Sequence, residues 1–239
     1  MPALAVSAVA KAFAGRPVLR EVSLQVAAGE AVGLIGVNGA GKTTLLRALL
    51  DLTRIDHGSV HIFGTPHHEP MARAGLSYLA ERFTPPSYAS GTDLLRYLLS
   101  LHGRGYDPQA AATEAAALEL DTAALAAPAR QYSKGMAQKL GLIACILAER
   151  PLLVLDEPMS GLDPSARALF KQRLRALKAA GTALFFSTHL LADIEPLCDR
   201  IALLDGGRIV FDGTPAALLA RTAASDLEQA FLRCLAVDR

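Results

Sequence analysis

The sequence is short of cysteine, of any surplus charge and of long apolar runs, and each shortage removes a class of protein. Three cysteines, Cys145, Cys198 and Cys234, are odd in number and far apart, so they frame neither a disulfide scaffold nor a zinc site. Lys and Arg number 24 against 23 Asp and Glu, a net charge of +1. That supplies neither a polybasic nucleic-acid surface nor an acidic tail. Hydrophobic residues reach 51% and mean hydropathy is +0.29, which raises the question of a membrane protein. The longest apolar stretch, Leu140 to Ala148, stops at Glu149. It is about half of the ~18–20 residues that a spanning helix needs. Alanine supplies much of the hydrophobic share, as between Ala110 and Ala129. No basic segment followed by an apolar core stands near Met1, so no secretory signal is expected. Internal repeats and coiled-coil heptads are also missing. A chain of 239 residues is then expected to be one soluble, cytosolic domain with a large core.

What is present reads first as an α/β order of elements. Strand-like segments run from Leu4 to Val9 and from Val22 to Val26, closed by a turn at Ala27-Ala28-Gly29-Glu30. Ala31-Val32-Gly33-Leu34-Ile35 is almost continuously apolar, as a strand buried on both faces of a parallel sheet would be. A glycine-rich turn and a helix from about Lys42 to Leu52 follow. Leu152 to Leu155 and Ala183 to Phe186 are two more buried-strand candidates. Arg200 to Leu204 and Arg208 to Phe211 flank Asp205-Gly206-Gly207, a hairpin signal. Between these groups the texture turns Ala- and Leu-rich and helical. The clearest helix there carries Met136, Leu140, Ile143, Ala144 and Leu147 on one face, with Ser133 as its N-cap and Pro151 as its stop.

Gly36-Val37-Asn38-Gly39-Ala40-Gly41-Lys42-Thr43-Thr44 satisfies G-x-x-x-x-G-K-[ST] between a buried strand and a helix. Glycines let such a backbone wrap a phosphate chain with its N–H groups inward, and the helix N-terminus favours the negative charge. Lys42 would neutralise the terminal phosphates and Thr43 would offer a hydroxyl to Mg²⁺. These residues imply a bound nucleoside triphosphate. Leu152-Leu153-Val154-Leu155-Asp156-Glu157-Pro158 brings two carboxylates to the carboxyl end of a buried strand, the edge where such sheets bind ligands. Asp156 suits Mg²⁺ through a water, and Glu157 is free to orient or deprotonate an attacking water. His189 ends another buried strand, Phe185-Phe186-Ser187-Thr188-His189, at the same edge, within reach of a γ-phosphate. His57, His61, His67 and His68 surround a strand and turn at 58–64. No Cys, Asp or Glu completes a ligand set with them, so they are expected to be exposed strand and loop residues.

With these pieces in this order, the chain resembles the ATP-binding cassette (ABC) family of nucleotide-binding domains over nearly its whole length. Tyr132-Ser133-Lys134-Gly135-Met136-Ala137-Gln138 stands where that family has its L-S-G-G-Q signature. Ser133 and Gly135 match, while Tyr132, Lys134 and Met136 depart. Ser160-Gly161-Leu162-Asp163 is similar to the D-loop, His189 to the switch histidine, and Phe13 to the aromatic that stacks on adenine. Tyr78 to Phe83 is similar to the exporter form of the Q-loop, with Glu81 where the wider family has glutamine. Asp226 to Leu232 resembles a C-terminal ending common in exporter-type cassettes.

The resemblance implies a P-loop NTPase core with a mostly parallel sheet, an N-terminal antiparallel β portion and an inserted α-helical subdomain. The core would comprise residues 1–82 and 151–239, and the helical signature subdomain 83–150. It implies ATP held by Phe13, Asn38, Gly39, Ala40, Gly41, Lys42, Thr43 and Thr44, and Mg²⁺ held by Thr43, Glu81 and, through a water, Asp156. Glu157 and His189 would serve hydrolysis. Ser133, Lys134, Gly135 and Met136 would meet the ATP of a second subunit, the same chain or a paired one, in a head-to-tail sandwich, and Asp163 would belong to the D-loop. Integral-membrane permease subunits would be the load, holding the chain at the cytosolic face of a membrane and driving export. An importer ATPase and a soluble ABC ATPase of DNA repair or translation are the competing readings. The soluble class would be expected to carry a coiled-coil insert or second cassette and a basic surface, so no nucleic-acid partner is expected. A P-loop kinase would leave 133–135, 160–163 and His189 unexplained.

Overall fold

A computed structural model describes residues 1–191 and 197–237. The chain begins with strands β1 (Leu4–Phe13), β2 (Arg16–Val26) and β3 (Ala31–Ile35), then helix α1 (Lys42–Leu49). Strands β4 (His57–Ile62) and β5 (Thr65–Pro66), helix α2 (Pro70–Arg73) and strand β6 (Leu76–Leu79) follow. Only helices intervene before the next strand: α3 (Gly91–Leu101), α4 (Pro108–Ala117), α5 (Thr122–Ala126) and α6 (Lys134–Leu147), with a 3₁₀ turn at Ala129–Gln131. The chain then returns through β7 (Leu152–Leu155), α7 (Pro164–Ala179), β8 (Ala183–Thr188), β9 (Arg200–Asp205) and β10 (Arg208–Gly213), and ends in α8 (Pro215–Thr222) and α9 (Leu227–Val237). No described helix is long and apolar enough to cross a membrane.

The strands form two sheets. An antiparallel one has the order β2-β1-β4-β5, and a six-stranded one has the order β10-β9-β3-β8-β7-β6. The larger sheet is parallel except for β10, which pairs antiparallel with β9 through the expected Asp205-Gly206-Gly207 hairpin. Strands β3, β7 and β8 are buried along their whole length, and successive residues therefore enter two different cores. Val32, Leu34, Val154, Phe185 and Leu204 pack toward the antiparallel sheet and α1. Ile35, Leu155, Phe186 and Leu203 pack toward the helical side. Continuous apolar runs fit only such a two-faced position.

The helical insertion is fastened at several points. Arg173 of α7 forks onto the Glu114 carboxylate of α4 at 2.9 and 2.5 Å. Gly141 in α6 lets β6 and the following loop come close. A methyl there would stand 2.6 Å from Leu79 and 2.9 Å from Phe83. The Ser133 N-cap expected for α6 is present, with Oγ accepting from the Met136 N–H at 3.1 Å.

Several expectations need correction. β1 and β2 extend to a tight hairpin with Phe13 opposite Arg16, because ladder bonds carry residues of weak strand propensity. α1 stops at Leu49 rather than Leu52, and Asp51 adopts φ +58°, which ends helical progress. β6 has no apolar run of its own to announce it and depends on parallel pairing with β7. His67 is buried, contrary to the exposed position expected for it, with Nδ1 3.3 Å from the Val60 carbonyl. Burial pushes its pKa down. The three cysteines are buried and form no disulfide, and Cys145 and Cys198 are pushed up to about 12 by that burial.

Candidate functional site: a phosphate-sized cavity at the sheet edge

The turn between β3 and α1 is shaped by two glycines at positive φ, Gly39 at +83° and Gly41 at +109°. Gly41 is the N-cap of α1 and gives no side-chain bond to the first turn. Ser90, Asp107, Ser133, Asp163 and Thr214 do cap α3, α4, α6, α7 and α8. The N–H groups opening α1 are therefore left for an outside acceptor. They border a cavity of about 390 Å³ lined by Val18, Asn38, Gly39, Gly41, Lys42, Thr43, Thr44, Glu81, Glu157, Ser160 and His189. One loop and the carboxyl ends of three parallel strands converge here, as the parallel topology requires.

Within the cavity the charges are already organised. Lys42 is buried, donates from Nζ to the Gly36 carbonyl at 2.8 Å, and stands 3.3 Å from Glu157 Oε1. The other Glu157 oxygen lies 2.7 Å from His189 Nδ1 and 3.3 Å from the His189 N–H, which donates to it. Glu157 sits at φ +44° immediately before Pro158, a costly conformation at about 1–3 kcal/mol. Its N–H donates to Ser187 Oγ at 2.9 Å, and this bond holds the carboxylate toward the cavity.

Asp156 is set one layer behind. Ser187 donates to its Oδ1 at 2.6 Å, and the Thr43 hydroxyl lies 3.5 Å from the same oxygen. Burial raises the Asp156 pKa most, the hydroxyls of Ser187 and Thr43 oppose that, and the charges of Glu81 and Glu157 add to it. Burial, with the Asp156 charge nearby, pushes Tyr78 up to about 12. Thr43, Asp156 and Glu81 thus present only oxygen donors around a buried carboxylate short of positive charge. This set fits a hard divalent cation such as Mg²⁺.

The cavity gathers most of the expected nucleotide residues but not all. Ala40 is packed in the core, and its N–H closes a turn onto Val37 at 3.1 Å. Phe13 lies outside the lining and is 48% exposed. Ser133, Lys134, Gly135, Met136 and Asp163 do not line it. Ser133 and Lys134 are exposed and join Arg82, Phe83, Arg130 and Tyr132 around a second cleft of about 440 Å³. Tyr132, a departure from the signature consensus, donates its hydroxyl to the Ala124 carbonyl at 2.5 Å and braces the loop against α5. Lys134 lies over Gly161, and Gly135 faces Leu162 at 3.6 Å from its virtual Cβ, so signature and D-loop touch within one chain. Asp163 caps α7 by accepting from the Ala166 N–H at 2.9 Å, which holds its carboxyl below the usual range.

Two further residues, Ser187 and Gln138, support the site. Ser187 is fully buried between Asp156 and Glu157; a hydroxyl inside an otherwise apolar Phe-Phe-Ser strand was the available signal. Gln138 is buried, and its Nε2 donates to the Ala80 carbonyl at 3.3 Å, tying α6 to the segment that carries Glu81.

The fold and site define a P-loop ATPase domain with an inserted helical signature region. Residues 19–160 match the family model described as ABC transporter. The chain belongs to the ABC transporter family. It is 37% identical over 205 residues to an uncharacterized ABC transporter ATP-binding protein of Synechocystis, covering 84% of this chain and 58% of that protein. It is 34% identical over 227 residues to the Nod factor export ATP-binding protein I of Rhizobium leguminosarum bv. viciae, covering 91% and 71%. A solved ATP binding subunit of an ABC transporter superposes with a TM-score of 0.90 at 28% identity, over 97% of this chain and 99% of that one. A bacterial Atm1-family ABC exporter with ATP bound shares the fold at a TM-score of 0.81 and 23% identity, over 97% of this chain and 42% of its own. The chain spans about 60% of the length of the first curated relatives that it matches.

Proposed function

We propose that this chain hydrolyses ATP to drive an exporter, as a subunit that dimerises head to tail around two nucleotides beneath membrane-embedded permease subunits. The observation that carries the reading is the Glu157 carboxylate, fixed between Lys42 and His189 above an uncapped helix N-terminus. The α1 N–H groups and Lys42 bind the phosphates, and Phe13 receives the base. Thr43, Glu81 and, through a water, Asp156 would hold a Mg²⁺ ion, which when bound would supply positive charge against the phosphates. Glu157 orients a water and takes up its proton as the oxygen attacks the γ-phosphorus and the bond to the β–γ bridging oxygen breaks, releasing ADP and phosphate, while His189 steadies the γ-phosphate. Ser133 and the start of α6 supply donors to the γ-phosphate held by the second subunit, so hydrolysis separates the pair.

Export rests on two supports: the exporter-like segments at 78–83 and 226–232, and the similarity to the Nod factor export ATP-binding protein I of Rhizobium. The cleft beside Arg82, Phe83 and Tyr132 is the surface we assign to the permease, within a helical subdomain taken as 83–150. The remaining 1–82 and 151–239 form the catalytic core. Glu157→Gln tests the reading. It should bind ATP and accumulate an ATP-bound dimer in size-exclusion chromatography, with turnover lower by about 10²–10⁴. Wild-type turnover in that variant would sink the assignment.

A further inference from the structure

Lys11, Phe13 and Asp56 form a cluster at the turn end of the β1–β2 hairpin. Half-exposed Phe13 needs something to hold its ring, and the Lys11 ammonium lies 5.2 Å from the ring centroid. Lys11 is itself tied down: its side chain is 14% exposed, and Nζ donates to Asp56 Oδ1 at 2.9 Å. The second Asp56 oxygen accepts from the Ala12 N–H at 2.7 Å. The Asp56 N–H donates to the Ala10 carbonyl at 2.9 Å. One residue on the loop entering β4 therefore fastens three consecutive residues just ahead of Phe13.

The strand ladder does not provide this order. Pairing of β1 with β2 shifts register between Val9 and Lys11 and again between Lys11 and Ala12. At such irregularities side-chain direction is set by local bonds rather than by the ladder. Asp56 supplies those bonds, and the Lys11 ammonium, followed by the Ala12 N–H, holds its carboxyl below the usual carboxylate range. The cluster also lies in the right place. Phe13 faces Arg16 across the hairpin, two residues before Val18, which lines the P-loop cavity. Two residues of strand span roughly 7 Å.

We propose that Asp56, acting through Lys11, is a positioning residue that holds Phe13 as the platform for the purine of the bound nucleotide. The proposal rests on the reading that Phe13 stacks on the base. Lys11 occupies one face of the ring and leaves the other for stacking, an interaction indifferent to the phosphates. Loss of the brace should therefore weaken base binding and leave phosphate binding alone.

The test compares Mg²⁺-ATP with Mg²⁺-bound inorganic triphosphate, titrated by calorimetry into wild type, Phe13→Ala, Asp56→Ala and Lys11→Gln. Phe13→Ala should raise the Kd for ATP about fivefold or more. Asp56→Ala and Lys11→Gln should each raise it about two- to fivefold, the worth of an exposed cation–π contact. Triphosphate should bind all four proteins alike, and Phe13→Ala/Asp56→Ala should be no weaker for ATP than Phe13→Ala alone. Lys11→Gln retains the Asp56–Ala12 bond and keeps the test open if Asp56→Ala does not fold. ATP affinity reduced by Phe13→Ala yet unchanged in both brace variants would overturn the brace alone. Equal losses for ATP and triphosphate would make the cluster a general prop and overturn its link to the base. Unchanged ATP affinity in Phe13→Ala would remove the base contact itself, and the brace with it.

Discussion

The P-loop cavity and the signature face are made from the same stock of hydroxyls, lysines and helix N-termini, yet they are finished to different degrees. At the cavity, α1 has no side-chain cap, and Lys42 and Glu157 beside its N-terminus are buried and paired with each other. On the signature face, α6 is capped by its own Ser133, while Ser133 and Lys134 are exposed. The first region is assembled by the packing of β3, β7 and β8 beside one another. The second is a local structure resting on its own turn and on the Tyr132 brace. A site of the first kind tolerates little change in its neighbours. One of the second kind can be altered on its surface while the fold survives.

Asp156→Asn should break the first region most severely. Turnover should drop by about 10² or more, because the cation loses a charged ligand worth several kcal/mol at the transition state. The fold should nonetheless gain stability, since burial raises the Asp156 pKa and an ionised carboxylate there is costly at neutral pH. The gain should shrink as pH falls through that raised native pKa, where Asp156 is protonated before its counterpart in the unfolded chain. Thermal melts across acidic and neutral pH check the sign. A lower melting temperature for the variant at neutral pH would refute it.

Ser133→Arg should separate the two regions almost as sharply. Nucleotide affinity of the isolated chain should stay as in wild type, while turnover drops by about 10², the usual worth of a donor at developing charge. Normal hydrolysis would show that the signature face is not half of a shared site.

Ser187→Ala should have a subtler effect inside the cavity. It removes the hydroxyl that bridges Asp156 and the Glu157 N–H, so the Mg²⁺ requirement for turnover should rise about tenfold. A change in turnover at saturating Mg²⁺ with an unaltered Mg²⁺ midpoint would count against it. Smallest of all, Tyr132→Phe should cost about 1 kcal/mol of stability by removing the hydroxyl's hydrogen bond to the Ala124 carbonyl, measured by urea unfolding, with the cavity untouched. Equal unfolding midpoints would show that the loop needs no brace.

The two regions were also unequally legible. Wherever function needs residues adjacent in the chain, one stretch of sequence sufficed. The Gly36–Thr44 turn, the strand ending in Asp156-Glu157 and the Ser133 cap each carry their geometry in local spacing. The all-apolar runs at 31–35, 152–155 and 183–186 likewise announced strands covered on both sides, since no other strand environment accepts them. β6 escaped notice because four residues with an internal Ser and Tyr are strand only when β7 lies alongside. The burial of His67 escaped for the same reason, as its Nδ1 is placed against Val60 by the β4 fold-back.

By itself, then, the sequence determined the class of chemistry and the order of the elements. Those depend on φ freedom, hydrophobic period and the charge of neighbours a few residues apart. Tertiary structure alone decided that Lys42, Glu157 and His189 would share a pair of carboxylate oxygens and that Ser187 would stand behind them. It likewise tied Asp56 to Lys11 from 45 residues away, and kept the signature residues out of the cavity lining. The cavity contacts are made across parallel strands whose register is set by burial of both faces at once, a condition that no short window of sequence contains.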